Sequence, residues 1–497
     1  MDVQREIKAL RGGESVQWPH HADTVAFAES LDADNTLVNL RDEFVIPSKA
    51  DLKRGNVVGE ETRAQDDTSA SIYFCGNSLG LRPKATSRYL SDYLQTWSTI
   101  AVGGHFTQLE NSSLGPFQDM AADCSKNSAD LFGALPEEIV IMNTLTVNLH
   151  LMMAAFYRPT EKKHKIMLEW RPFPSDWYAV ESQIEWHGRI AKDSMLPVQP
   201  DEGTYTMSTS HIVSLIDKHA DELALILLPG IQYYSGQLLD IQTITQHAHA
   251  RGITIGWDLA HAAGNVELKL HDWDVDFACW CTYKYMNAGA GAIAGAFIHE
   301  KHGDVVQNRG LKGWYGGDKS ARFLMDNSQS SRHVRHRVQL TTSAEFVPTP
   351  GAQGFQLSNP SAVDLTCLSA TLSVFNKTSI RALRSKSLLL TAYAEYLLKQ
   401  MLDRTPDAFE IITPADPLQR GAQLSVLLRE GLLDPVSTAL VDAGVVCDKR
   451  KPGIIRVAPA PLYNTFSDVW HFMEIFEQAV RPSQKEPRAQ MGYAAQL

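Results

Sequence analysis

Two side chains near the middle of the chain have the types and spacing for carbonyl chemistry. The run ITIGW ends at Asp258, followed by Leu259, Ala260 and His261, and the run DFACW is followed by Cys281, Thr282, Tyr283 and Lys284. An acid and a lysine therefore stand at the ends of successive predicted strands. Such a lysine can snorkel or cap a helix. It can also form a Schiff base with a carbonyl cofactor, provided its site lowers the proton affinity of the amine. A pyridine cofactor further needs a carboxylate to keep its ring nitrogen protonated, which Asp258 could supply; read alone, Asp258 suits a helix N-cap equally well.

A phosphorylated cofactor needs an anion site. In IVIMNTLTVNLHL an apolar strand gives way to Asn143, Thr144, Leu145 and Thr146 and then to a helical pattern, so backbone N–H groups and a threonine hydroxyl face outward at a helix N-terminus. Any strand-to-helix unit with a threonine cap shares this feature. The run Gly289 to Gly295 has GxGxxxG spacing and lies outside a first strand-to-helix turn, which favours close backbone packing beside Lys284 over nucleotide binding.

The elements that must position these groups follow from the apolar pattern. From residue 139 to about 300 short apolar runs (EIVIM, KIMLE, LALILL, ITIGW, DFACW, AIAGAFI) alternate with helical patterns. This predicts an α/β fold, a mostly parallel sheet with helices on both faces and ligands at the carboxyl ends of its strands. A helix is expected from about 84 to 101. The organisation reads as an irregular N-terminal arm at 1–70, a large domain at 71–345, a smaller α+β C-terminal domain at 346–485 and a tail at 486–497.

The 497 residues, 44% hydrophobic and 21% charged, make an ordinary globular composition. A formal net charge of -11 removes the overall positive field that nonspecific nucleic-acid or anionic-membrane binding would need. Six scattered cysteines without zinc-like spacing suit a reducing cytosol and suggest no metal. The N-terminus lacks the apolar core of a secretory signal, and the apolar windows fall short of the ~20 residues that cross a bilayer, so a soluble, cytoplasmic protein is expected.

Collinear segments between residues 72 and 464 closely resemble the kynureninase family: GNSLGL, NTLTVNLH, FPSDWYAVESQ, GWDLAHAAGNVELKLHDWDVDFACWCTYKYMNAGAGAIAGAFIHE, GWYGG, FQLSNP and IIRVAPAPLYN. The resemblance implies the type I aminotransferase-like fold and pyridoxal 5'-phosphate. It makes Lys284 the Schiff-base lysine and Asp258 the partner of the ring nitrogen, with His261 and Tyr283 completing the surroundings and Tyr283 near the phosphate. Leu145 and Thr146 match the phosphate turn, and Phe173, Pro174, Ser175 and Asp176 match the segment that stacks on and contacts the ring. Trp314 and Asn359 match positions that can come from the neighbouring subunit of a homodimer. Arg456 matches the arginine for the substrate α-carboxylate, and His105, Ser78 and Asn359 match positions near the aryl end.

The implied reaction is hydrolysis of L-kynurenine or 3-hydroxy-L-kynurenine to alanine and an anthranilate. Two departures stand out: Pro229 where relatives often have serine, and a longer basic stretch at 328–348, read as a solvated insertion. A cysteine desulfurase or aminotransferase would share Lys284 and Asp258, and a desulfurase would need a mobile reactive cysteine. A non-catalytic protein that kept the fold is the alternative from another class.

Overall fold

The predicted apolar runs become strands whose side chains are buried on both faces of a single sheet. In the computed structural model, which describes residues 1–35, 37–57, 68–303, 305, 309–319, 322 and 346–481, most of the basic stretch at 328–348 and the tail at 486–497 lie outside the described residues. Strand β1 (Ile72–Tyr73) stands apart from the large sheet. The large sheet comprises β2 (Ile139–Ile141), β3 (Lys165–Glu169), β4 (Met195–Val198), β5 (Leu223–Pro229), β6 (Ile255–Asp258), β7 (Phe277–Trp280) and β8 (Gly295–Ile298). Their order is β2-β8-β7-β6-β5-β3-β4. Neighbours are parallel from β7 through β6, β5 and β3 to β4, whereas β8 runs antiparallel to both β7 and β2.

Alternation along each strand sorts the core. Ile139, Ile141, Ile226, Leu228, Ala278, Trp280 and Phe297 point to one face, with helices Met120–Phe132, Thr209–His219, Ile241–Ala250 and Ala362–Phe375. Val140, Leu225, Leu227, Phe277, Cys279 and Ala296 point to the other, against helices Leu145–Phe156 and Pro174–Trp186. Phe132 stacks on Trp280 with ring centroids 3.8 Å apart, which explains why Gly295 follows on β8: a Cβ there would collide with the Trp280 ring. The expected helix at 84–101 spans Ala85–Ile100.

A second core surrounds an antiparallel sheet of β9 (Phe409–Ile411), β10 (Leu424–Leu428), β12 (Asp448–Arg450) and β13 (Ile454–Val457), in the order β12-β13-β10-β9. Strand β11 (Val445–Val446) pairs in parallel with β1 and ties the two units together. Helices Ile380–Arg404, Leu433–Asp442 and Phe466–Val480 cover the sheet. The opening residues, irregular to the eye, form helices Val3–Arg11 and Val25–Ala33, capped by Asp2 and Thr24 side chains. Leu10, Phe27 and Leu31 enter the second core beside Tyr393 and Phe472. Each helix is too short to announce itself by periodicity and gains its stability from that packing.

Candidate active site

The carboxyl ends of β3, β5 and β6 and the turn after β7 open onto one cavity of about 410 Å³. This is where a mostly parallel sheet leaves room for a ligand. Lys284 enters it from the turn after β7, with its Nζ 3.0 Å from His261 Nε2 and 5.9 Å from the centroid of the Phe173 ring. Burial, and then the charge of Lys284, push His261 well below the ordinary imidazole range. His261 is therefore neutral, and its Nε2 accepts from the lysine.

The GNSLGL turn holds the lysine segment from behind. Gly80 N donates to the Tyr283 carbonyl at 2.8 Å, and a Cβ at Gly80 would collide with the Lys284 carbonyl and with Asn287 Oδ1. Asn77 Nδ2 donates to Gln423 Oε1 at 2.7 Å, linking the turn to the second unit, while Asn77 and Ser78 both line the cavity.

Three carboxyl groups share the cavity wall. Asp258 Oδ1 accepts from Ala260 N at 2.7 Å, so Asp258 caps the following turn and also faces the cavity. Asp176, in the first turn of helix Pro174–Trp186, accepts from Ser175 Oγ at 3.0 Å. Burial, followed by the adjoining Asp258 carboxylate, pushes Asp176 well above the usual carboxylate range. Two acids this close share one proton unless a cation joins them. Glu169, at the end of β3, is the third; burial pushes it up to about 8.

These features fit pyridoxal 5'-phosphate. The Asp176–Asp258 pair lacks the positive charge that a protonated ring nitrogen brings. Phe173 is 44% exposed, so an aromatic face is open to a planar ring, and Tyr233 packs edge-on to it at 5.5 Å. Thr144 starts helix Leu145–Phe156 in an extended conformation without a side-chain cap, which leaves the first-turn N–H groups and Thr146 available to a phosphate. Gly291, with φ at +69°, and Ala292 form another part of the lining.

The second unit contributes two guanidinium groups. Arg456 on β13 is 1% exposed; it donates from Nη1 to the Tyr233 carbonyl at 3.0 Å and pairs with Asp448. Burial lowers it to about 10, so it remains charged at neutral pH, and its Nε has no partner. Arg450 on β12 lies 2.8 Å from the same Asp448 and also lines the cavity.

The polar lining residues Glu169, Tyr233, Arg450 and Asn77 are not among the site residues expected from the sequence. Glu169 carries the same strand-end signal as Asp258. Arg450 carries none, because its position follows from how the second sheet docks on the first.

Not every expected site residue is gathered here. His105 and Asn359 line a separate hollow of about 400 Å³ with Tyr93, Trp97 and Phe117, and Trp314 lies 50% exposed in the turn Trp314–Gly316. Pro174 occupies the first turn of its helix, where its missing N–H costs nothing. Pro229 ends β5 in register with Asp258 and lines the cavity with no N–H or hydroxyl to offer. Cys279 and Cys281 are buried, and burial pushes both thiols up, the opposite of a mobile reactive cysteine.

Comparison with known proteins agrees with this architecture. Residues 383–476 match the family described as kynureninase C-terminal domain, and residues 72–302 match aminotransferase class-V. Kynureninase 2 of Phaeosphaeria nodorum is 62% identical, covering 100% of this chain and 99% of the relative. Kynureninase 1 of Neurospora crassa is 57% identical over 97% of this chain and 99% of its own length. Among solved structures, a cysteine desulfurase from Thermococcus onnurineus aligns with a TM-score of 0.64 at 16% identity, over 83% of this chain and 95% of that one. A C-DES mutant with glycine covalently linked to its PLP cofactor aligns with a TM-score of 0.64 at 15% identity, over 82% and 96%. At such identities these likenesses establish a shared fold.

Proposed function

This chain belongs to the kynureninase family, and we propose that the cavity around Lys284 is where it carries out that family's reaction. The protein is a pyridoxal-phosphate-dependent enzyme that hydrolyses a carbon–carbon bond. Its substrates are L-kynurenine or 3-hydroxy-L-kynurenine, its products L-alanine and the corresponding anthranilate, in tryptophan catabolism and de novo NAD biosynthesis. The observation that carries the site assignment is the convergence of Lys284, neutral His261 and the Asp176–Asp258 pair on one cavity.

Pyridoxal 5'-phosphate, when bound, supplies the carbonyl that captures the substrate amine and a sink for the electrons of the bonds that break. Lys284 Nζ holds and moves the proton of the substrate α-carbon, with His261 Nε2 accepting from it and orienting its lone pair. Asp258 and Asp176 hold the proton of the ring nitrogen. Burial pushes the Tyr283 phenol up, so it keeps its proton and can donate it. Thr146 and the helix N-terminus at Leu145 bind the phosphate, and Ser175 steadies Asp176. Arg456, oriented by Asp448 and the Tyr233 carbonyl, binds the substrate α-carboxylate through its free Nε edge.

The test is borohydride reduction of the cofactor-loaded enzyme followed by peptide mass mapping. The adduct is expected on Lys284, and an adduct elsewhere refutes the assignment.

We further propose a homodimer in which His105, Trp314 and Asn359 of one subunit complete the cavity of its partner. The aromatic hollow around His105 is bordered by exposed Trp97, Val102 and Phe106, a face suited to burial. Mixing inactive Lys284→Ala and Asn359→Ala chains should then restore activity, since one composite site in each mixed dimer is intact; no recovery after verified subunit exchange counts against shared sites. No helix among the described residues is long and apolar enough to cross a membrane. Cytoplasmic placement is proposed from six free cysteines and an acidic chain.

A further inference from the structure

The cavity wall holds a third carboxyl group that the chemistry above leaves without a task. Glu169 ends β3, is 3% exposed, and its Oε2 meets no donor. The groups that face it are Asp258 from β6, Asp176 from helix Pro174–Trp186, and Gln232 and Tyr233 from the loop after β5. Gln232 is locked: its Oε1 accepts from Tyr234 N and Ser235 N, each at 2.7 Å, and from Ser235 Oγ at 3.2 Å. This leaves the Gln232 amide nitrogen as the donor toward Glu169, although it closes no full hydrogen bond.

The cations nearby are engaged elsewhere. Lys284 meets His261, Arg450 and Arg456 meet Asp448, and Arg171 lies 4.3 Å over the Tyr234 ring. A buried carboxylate without a cation is costly, and its cheapest escape is to keep its proton.

We propose that Glu169 is a positioning residue of the cofactor pocket that works as a neutral carboxylic acid, confining negative charge to the Asp176–Asp258 pair that faces the ring nitrogen. This rests on the reading of the cavity as the pyridoxal-phosphate site. Burial holds the group at about 8, so it stays protonated at neutral pH and releases its proton to solvent above that value. Once ionised, it adds negative charge beside the pair, raises the pair's hold on protons and alters the charge felt by the ring. Its orphaned Oε2 also gives it a reason to be in the cavity wall: a neutral acid can donate there, where a carboxylate can only accept.

The test compares wild type, Glu169→Gln and Glu169→Ala. Cofactor-free wild type minus Glu169→Gln in the infrared is expected to show a carboxylic-acid band at pH 7 that fades as pH rises through about 8. In the loaded enzyme, an absorbance transition of the bound cofactor near pH 8 is expected in wild type and absent in Glu169→Gln. Glu169→Ala should weaken pyridoxal-phosphate binding about tenfold, and Glu169→Gln, which keeps the shape and a donor, should recover most of that loss.

A carboxylate band at pH 7 overturns the proposal, as does a Glu169→Gln protein that folds but binds the cofactor as poorly as Glu169→Ala. Wild type that takes up no pyridoxal phosphate would instead defeat the reading of the cavity, and the infrared comparison, which needs no cofactor, separates the two failures.

Discussion

Asp258 has two tasks. Its Oδ1 caps the turn that carries His261, through Ala260 N, and the carboxylate charge faces the cavity. The Asp258→Asn variant keeps an acceptor for the turn and loses only the charge. It should fold with a Tm close to that of wild type while kcat falls about 10²- to 10⁴-fold. Thermal denaturation alongside steady-state kinetics checks the split; a matching loss of stability would assign Asp258 a mainly structural role. The same residue-level view explains why Lys284 and Asp258 stand out in the sequence and Arg450 does not. Strand ends advertise themselves through the apolar run before them, whereas Arg450 is one basic residue in the charged run DKRK on an edge strand.

The element that sets the position of Lys284 is a turn more than two hundred residues earlier in the chain. Gly80 lets the GNSLGL backbone lie against the Lys284 carbonyl, and Tyr73 Oη donates to the Leu79 carbonyl at 2.7 Å to hold the turn. Gly80→Ala should cost about 2 kcal/mol of stability, because backbone and the buried Asn287 must move to admit the methyl group. It should lower kcat more than it raises KM, since displacing Lys284 spoils proton transfer more than carboxylate binding. Urea unfolding and kinetics test this, and a Gly80→Ala protein with wild-type kcat would detach the turn from catalysis. Helix Leu145–Phe156 illustrates the complementary case: its N-terminus is visible in the sequence as a strand run followed by Asn143 and Thr144, and Thr146 does line the cavity, whereas the lack of a Thr144 side-chain cap shows only in the structure.

At the scale of the whole molecule, acid sensitivity should centre on Asp276. Burial opposes its charge, but hydrogen bonds from His249 and His302 at 2.9 and 2.7 Å, and from Ile255 N at 2.8 Å, outweigh it and hold the carboxyl well below its ordinary range. These contacts fasten helix Ile241–Ala250, β6 and the turn after β8 to the start of β7. A depressed folded pKa contributes stability that is present above the unfolded value and lost as pH falls toward the folded one. Asp276→Asn should therefore destabilise by about 3 kcal/mol at pH 7, with the deficit shrinking below about pH 4. Urea unfolding of both proteins across that range measures it, and a deficit independent of pH would place the cost in packing.

What the sequence determined by itself is what depends on local pattern. Alternation of short apolar runs with helical periods specified the mostly parallel sheet, and strand ends marked Lys284, Asp258 and the Thr146 turn as candidates, because side-chain direction and helix polarity are properties of a few neighbouring residues. What only the tertiary structure decided depends on contacts between distant segments. The joining of Leu10 and Phe27 to the C-terminal core, and the delivery of Arg450 to the Lys284 cavity, are of this kind. So are the proton held by Glu169 and the low affinity of His261 for one, since proton affinity is set by burial and by neighbouring charges that no local run of residues encodes.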